Sequence, residues 1–137
     1  MGLILDSSLL IAGERRGRRV WDILEGVLAS QGETESALSA ITVLELTHGI
    51  YRAKSESDAQ RRRAFVEELC QAVVVQPVTL EIARLAGKIE GEQAAKGVVI
   101  ALPDLLIGVT ALHLGYSVAT LNPRHFQLIP GLSVVQL

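Results

Sequence analysis

The sequence predicts an α/β fold, a three-layer α/β/α sandwich with a central, mostly parallel sheet. Short apolar runs of strand length alternate along the chain with longer segments whose apolar residues recur at helical spacing. Polar residues that can begin helices follow several of these runs directly, as they do where parallel strands lead into helices. With 137 residues the chain is long enough for one ordinary core and too short for two, so we expect a single domain over residues 1–137.

The first half of the chain is predicted to run strand, helix, helix, strand, helix, helix. The expected ranges of the first five elements, in that order, are 3–5, 8–12, 20–28, 37–41 and 42–53. The sixth element, a helix, follows a polar linker at 55–58 and ends near residue 72. Apolar residues at helical spacing, beginning with Val20 and Ile23, define the second helix. The third is expected to begin at Thr42-Val43-Leu44-Glu45, which has the S/T-x-x-E form of a capping box.

The second half is predicted to contain three strands and two helices. A β-branched strand over 73–76 stops at Pro77, and a helix then runs from Thr79 to near Gly97. Asp104 opens a helix over 105–114 that is apolar on nearly every side, so this helix should be deeply buried. Strands over 117–121 and 133–137 follow, separated by an Asn-Pro loop.

Composition excludes several classes of protein. The chain is 49% hydrophobic but only 4% aromatic, which argues against a surface that stacks on single-stranded bases. It has one cysteine and starts with an apolar strand instead of a charged leader, so we expect a cytoplasmic protein. The longest apolar stretch, 98–114, is broken by Pro103 and Asp104, which argues against a membrane span.

Three acidic residues predict a metal site. Asp6, Glu45 and Asp104 lie about 40 and about 60 residues apart, each just past a short apolar run where a helix is expected to begin. In an open α/β sheet such positions converge on one edge, and carboxylates without Lys or Arg partners favour a hard cation such as Mg²⁺ or Mn²⁺. A simpler explanation remains for each, since Asp6 and Asp104 would serve as plain N-caps and Glu45 as part of its capping box.

These residues belong to four motifs whose order and spacing resemble one family over almost the whole chain. The motifs are Leu5-Asp6-Ser7-Ser8, Thr42-Val43-Leu44-Glu45-Leu46 with Gly49, Pro103-Asp104-Leu105-Leu106-Ile107-Gly108-Val109-Thr110-Ala111, and Ala119-Thr120-Leu121-Asn122-Pro123-Arg124-His125-Phe126. The chain resembles the PIN-domain ribonucleases and, within them, the VapC-type toxins of prokaryotic toxin–antitoxin pairs. The resemblance implies an endoribonuclease that hydrolyses RNA phosphodiester bonds with a metal-activated water.

The resemblance also implies roles for particular residues. The expected Mg²⁺ or Mn²⁺ ligands, which are also catalytic, are Asp6, Glu45 and Asp104. Asn122, a fourth expected catalytic residue, stands where many relatives carry another acid, and because an amide adds no charge a second tightly bound cation is less expected. Thr120 is expected to help orient water or phosphate, and Ser7 to support the site.

Basic residues near these motifs are candidates for phosphate or RNA contacts. They are Arg15, Arg16, Arg124 and His125. The alternative for each is an ordinary solvated surface, and the net charge of −2 gives no overall attraction to nucleic acid.

Partners follow from the resemblance as well. It implies an RNA substrate, a VapB-like antitoxin through which DNA is contacted indirectly, and a homodimer.

Two other classes of function stay open at this stage. One is a catalytically idle PIN-fold module that binds RNA or protein, an alternative based on Asn122 in place of an acid. The other is a phosphotransfer domain, which would need paired acids where Ser7-Ser8 stands and a late Lys that does not appear.

Overall fold

The computed structural model describes residues 2–137, in which strands and helices alternate. The strands are β1 (Gly2–Leu5), β2 (Glu35–Ser39), β3 (Val74–Gln76), β4 (Ser117–Thr120) and β5 (Val134–Gln136). The helices are α1 (Ser7–Arg15), α2 (Val20–Gln31), α3 (Ala40–Tyr51), α4 (Glu56–Ala72), α5 (Leu80–Ala95), α6 (Leu102–Leu114) and α7 (Pro123–Phe126).

The five strands form one sheet in the order β3-β2-β1-β4-β5, and every pairing is parallel. The predicted three-layer α/β fold is therefore confirmed. From β1 the chain builds outward through β2 to β3 and then crosses to β4 on the other side of β1. In doubly wound sheets, ligands bind where the strand order reverses in this way, at the carboxyl ends of the two strands. Here that crevice lies beyond β1 and β4.

Alternate residues of β1 face two separate cores. Leu3 and Leu5 pack with buried residues of α1, α2, α3 and α4, whereas Ile4 packs with α5, α6 and the segment around Phe126. The two helical layers thus hold the central strand from both faces, which explains why β1 is apolar along its whole length. Residues at its carboxyl end are fixed by both layers at once.

Helix α3 begins two residues earlier than the sequence predicts. β2 ends at Ser39 and the helix starts at Ala40, because the Ser39 hydroxyl accepts a hydrogen bond from the Ile41 N–H at 3.1 Å and acts as the N-cap. The predicted second strand is present but spans 35–39 instead of 37–41, and the predicted Thr42–Glu45 capping box is wrong. Glu45 consequently lies in the second turn, where its carboxylate has no capping role.

Smaller differences appear at other helix boundaries. α1 runs from Ser7 to Arg15 instead of 8–12, and the predicted Asn-Pro loop contains the short helix α7. α6 begins at Leu102 with Pro103 in its first turn, so Asp104 follows the start of the helix instead of opening it. The deep burial expected of α6 is confirmed, since Leu105 and Ile107 to Ala111 are all buried.

Gly108 of α6 has a different role from the one its position suggests. The sequence places it one turn after Asp104 and indicates free space beside that residue. In the structure the position is covered by the side chains of Ile129, Leu132 and Phe126, and a Cβ atom there would collide with Ile129. Gly108 therefore lets the segment after α7 pack closely on α6.

No helix within residues 2–137 is long and apolar enough to cross a membrane.

Candidate active site

Asp6 is the first residue after β1 and lies in the crevice between β1 and β4. Its backbone N–H donates to the carbonyl of Ala119 at 2.9 Å, which extends the pairing of the two strands by one residue. The side chain is only 4% exposed. Its Oδ2 accepts hydrogen bonds from the hydroxyls of Ser8 at 2.7 Å and Thr120 at 2.8 Å. Two neutral donors thus hold the carboxylate in one orientation without neutralising its charge.

Ser8 also fixes the segment that follows β4. Its Oγ accepts a hydrogen bond from the Leu121 N–H at 3.2 Å, while Thr120 Oγ1 accepts one from the Asn122 N–H at 2.9 Å. Ser8 was not predicted as a site residue, although the consecutive serines after Asp6 offered the signal. Ser7 is the predicted supporting residue, and it lowers the pKa of the Glu45 carboxyl group. The two serines therefore act on two different acids.

Glu45 projects from the second turn of α3 and is partly buried. Burial raises the pKa of its carboxyl group; a hydrogen bond from Ser7 acts in the opposite direction, and the charges of Asp6 and Asp104 raise it further. Oε1 is buried and has no hydrogen-bond partner. A buried carboxylate oxygen left without a partner is costly, so this atom is suited to accept a cation or a donor from outside the chain.

Asp104 reaches the same crevice from the first turn of α6. Burial raises the pKa of its carboxyl group, the charge of His125 lowers it, and the charge of Asp6 raises it. His125 Nδ1 lies 3.3 Å from Asp104 Oδ2, and the Asp104 side chain is 22% exposed. Asp104 therefore forms the more open side of the acidic group, next to α7.

The structure brings the three predicted acids together. Each of Glu45 and Asp104 is affected by the charge of Asp6, and within residues 2–137 none of the three lies within 4.0 Å of a Lys or Arg nitrogen. Over the same residues no group of three or more His, Cys, Asp or Glu side chains is arranged so that it could hold a metal ion. Mg²⁺ retains several waters and needs only one or two direct carboxylates, so clustered, unneutralised acids with one free buried oxygen fit such an ion.

The predicted phosphate contacts separate into two groups. Arg15 lines a pocket of about 90 Å³ between α1, α3 and α4 that Glu45 also lines. Arg124 and His125 line an exposed groove with Asn122, and His125 joins that groove to Asp104. Arg16, in contrast, lies in a different groove between α1 and α2 and is not brought to the acids.

Asn122 is the N-cap of α7, but its side chain makes no capping hydrogen bond and is exposed. The amide is thus free at the rim of the crevice, held there by the bond from its backbone N–H to Thr120.

Comparison with known proteins agrees with this fold. Residues 3–132 match the family model described as PIN domain, and the chain belongs to that family, as its motifs predicted. It is 31% identical over 137 residues to Ribonuclease VapC of Rickettsia bellii, covering 98% of this chain and 96% of the relative. It is 33% identical over 97 residues, 71% of each chain, to the tRNA(fMet)-specific endonuclease VapC of Salmonella typhimurium. The crystal structure of DNA-bound VapBC from Salmonella typhimurium superposes with a TM-score of 0.82 at 25% identity, covering 99% of this chain and 98% of that one.

Proposed function

We propose that this protein is a metal-dependent endoribonuclease and the toxin of a VapBC-type toxin–antitoxin pair. The observation that carries the proposal is the meeting of Asp6, Glu45 and Asp104 from three distant segments at the β1–β4 crevice. None of the three forms an ion pair with a Lys or Arg of the described residues, and one buried oxygen is unpartnered. The names of the VapC relatives, a ribonuclease and an endonuclease, support the nuclease assignment.

Asp6, Glu45 and Asp104 would hold Mg²⁺ or Mn²⁺ in this proposal. When bound, such an ion lowers the pKa of water and offsets the charge that builds on phosphate oxygens. Ser8 and Thr120 keep the Asp6 carboxylate in a single orientation, and Ser7 lowers the pKa of the Glu45 carboxyl group. Asn122 at the rim would orient the water or the phosphate through its amide.

Cationic side chains on two sides of the acids suit a polyanionic substrate. Arg15 lines the same pocket as Glu45, His125 contacts Asp104, and Arg124 lines the groove that includes His125. An RNA backbone that crosses the acids would therefore meet basic side chains on either side. Arg16 is dropped from this set because it lies in another groove.

The idle binding module remains the alternative, and Asn122 is its basis. A module that only binds RNA would gain from neutral or basic residues in the crevice, because buried carboxylates repel phosphate. Three such carboxylates favour the enzyme.

The partners in this proposal are RNA, a VapB-like antitoxin through which DNA is contacted, and a second copy of the chain. The protein is proposed to act in the cytoplasm. The VapBC structure bound to DNA supports the antitoxin and the indirect contact with DNA.

The test is cleavage of RNA by the purified chain without antitoxin. Labelled transfer RNA and a mixed RNA pool are incubated with Mg²⁺ or Mn²⁺, and with EDTA. We expect metal-dependent endonucleolytic cuts that EDTA abolishes, and a loss of at least about 100-fold in Asp104→Asn, because one of the carboxylates that hold the ion becomes neutral.

Glu90→Gln is the matched control, since it removes one negative charge from an exposed position on α5, remote in sequence from the acids. It should cut RNA at the wild-type rate. Cleavage that persists in folded Asp104→Asn would contradict the site assignment. Absence of cleavage by folded, metal-supplied wild type on both substrates would favour the binding module.

A further inference from the structure

Thr42 carries a second buried oxygen that lacks a partner. The residue is fully buried on α3, and its Oγ1 makes no hydrogen bond. Among the side chains of residues 2–137, Thr42 Oγ1 and Glu45 Oε1 are the buried polar atoms without a partner. A buried hydroxyl left unsatisfied destabilises a folded protein, so its retention in the core calls for a reason.

The backbone does not satisfy this hydroxyl in the usual way. A threonine inside a helix commonly donates to the carbonyl four residues earlier, and Thr110 of α6 does so, to Leu106 at 2.7 Å. Four residues before Thr42 stands Leu38, which belongs to β2 and not to the helix. Because Ser39 caps α3, Thr42 also has no capping role. Its hydroxyl is therefore a donor with no acceptor on its own helix.

Glu45 stands one turn further along the same helix face. Side chains at positions i and i+3 are neighbours, with Cβ atoms about 5–6 Å apart. One of the two unpartnered oxygens belongs to a hydroxyl that can donate and the other to a carboxylate that can accept. A hydrogen bond between them, direct or through one bridging water, would satisfy both atoms.

We propose that Thr42 is a positioning residue for Glu45. When a divalent ion occupies the crevice, the Thr42 hydroxyl donates to Glu45 Oε1, directly or through one water, and holds the carboxylate toward the ion. Ser7 supports the same carboxylate from α1. This inference rests on the proposed metal-dependent function and adds to it a residue outside the acids. Partners of this kind orient metal ligands and are worth about 10–100-fold in metal affinity.

Thr42→Val separates a positioning role from a structural one because it changes two properties in opposite directions. Valine has nearly the shape of threonine and removes the unsatisfied hydroxyl, so the Tm of the metal-free protein should rise. The same change should weaken Mn²⁺ binding about 10-fold, because Glu45 loses its support. Thr42→Ser keeps the hydroxyl and should keep wild-type Mn²⁺ affinity.

The experiment measures Mn²⁺ affinity by isothermal titration and Tm in EDTA for wild type, Thr42→Val and Thr42→Ser. Thr110→Val is the matched control, because Thr110 is equally buried but bonds within its own helix. It should leave Mn²⁺ affinity unchanged and should not raise the Tm.

The outcomes are distinct. Weaker Mn²⁺ binding in Thr42→Val with rescue by Thr42→Ser supports the positioning role. Equal Mn²⁺ affinity in wild type and Thr42→Val, or equal weakening in Thr42→Val and Thr42→Ser, overturns it and leaves the proposed nuclease intact. A wild-type protein that binds no Mn²⁺ and cuts no RNA overturns both.

Discussion

Three carboxylates lie in the crevice, and each has different polar neighbours. Asp6 accepts hydrogen bonds from two hydroxyls, Glu45 keeps a buried oxygen without a partner, and Asp104 faces the imidazole of His125. Asp6 is thus fixed in place, whereas Glu45 and Asp104 retain oxygens that can turn toward a ligand. An ion entering the crevice would meet one rigid carboxylate and two that complete its coordination.

The charges of Glu45 and Asp104 make metal-free stability depend on pH. Burial raises the pKa of both carboxyl groups, so the folded state binds their protons more tightly than the unfolded chain does. Their contribution to stability is fully present below the unfolded pKa and is lost as pH rises through the raised folded pKa. In EDTA, Glu45→Gln should therefore increase the free energy of unfolding at pH 7 and change it little near pH 4.

Urea unfolding at the two pH values checks this prediction, with Glu90→Gln as the control for loss of an exposed charge. A Glu45→Gln protein that is less stable than wild type at pH 7 would show that the carboxylate is satisfied without metal.

Some residues of the site could be predicted from the sequence alone, and others could not. Asp6, Glu45 and Asp104 could be singled out because each follows an apolar run, which is a local property. The hydrogen bonds of Ser8 and the unpartnered hydroxyl of Thr42 could not be predicted, because they depend on which neighbours lie within hydrogen-bond distance in the folded chain. Arg16 stands beside Arg15 in sequence yet faces another groove.

At the scale of the element, the start of α3 decides where Glu45 points. The S/T-x-x-E motif predicted a helix here correctly, but two residues that can cap a helix, Ser39 and Thr42, stand within four positions. Ser39 is the N-cap because the pairing of β2 with β3 ends there, at the pair Ser39–Gln76, and the chain is free to turn into a helix from the next residue. Sheet pairing is a long-range property that no local motif contains, so the boundary was misplaced by two residues.

Removing the Ser39 hydroxyl tests the importance of this cap. Ser39→Ala should reduce the free energy of unfolding by about 1 kcal/mol, the usual effect of losing an N-cap. Because α3 carries Glu45 and Thr42, the same change should also weaken Mn²⁺ binding severalfold. Chemical denaturation and isothermal titration give the two values.

Ser55→Ala is the control for this prediction, since Ser55 caps α4 by the same kind of bond, to the Asp58 N–H at 3.1 Å. It should lose comparable stability and keep Mn²⁺ affinity. Equal affinity in both variants would contradict a link between the α3 cap and the acidic site.

At the scale of the whole molecule, the topology assembles the site. The crossing from β3 to β4 places β4 beside β1, so that Asp6 and Thr120 become neighbours although 114 positions separate them. The alternation of strands and helices predicts convergence at one sheet edge, and that expectation succeeded. Surface grooves depend on side-chain packing between helices, so the RNA path could not be predicted.

The single-domain organisation of residues 1–137 stays a prediction that one cooperative unfolding transition would support.

The central claim is that Asp6, Glu45 and Asp104 form one divalent-cation site, and anomalous diffraction from crystals grown with Mn²⁺ tests it most directly. The account predicts a manganese peak in the β1–β4 crevice, coordinated by oxygens of these acids directly or through water, and lost in Asp104→Asn. No peak at that position under saturating Mn²⁺, or a peak that persists unchanged in Asp104→Asn, would contradict it.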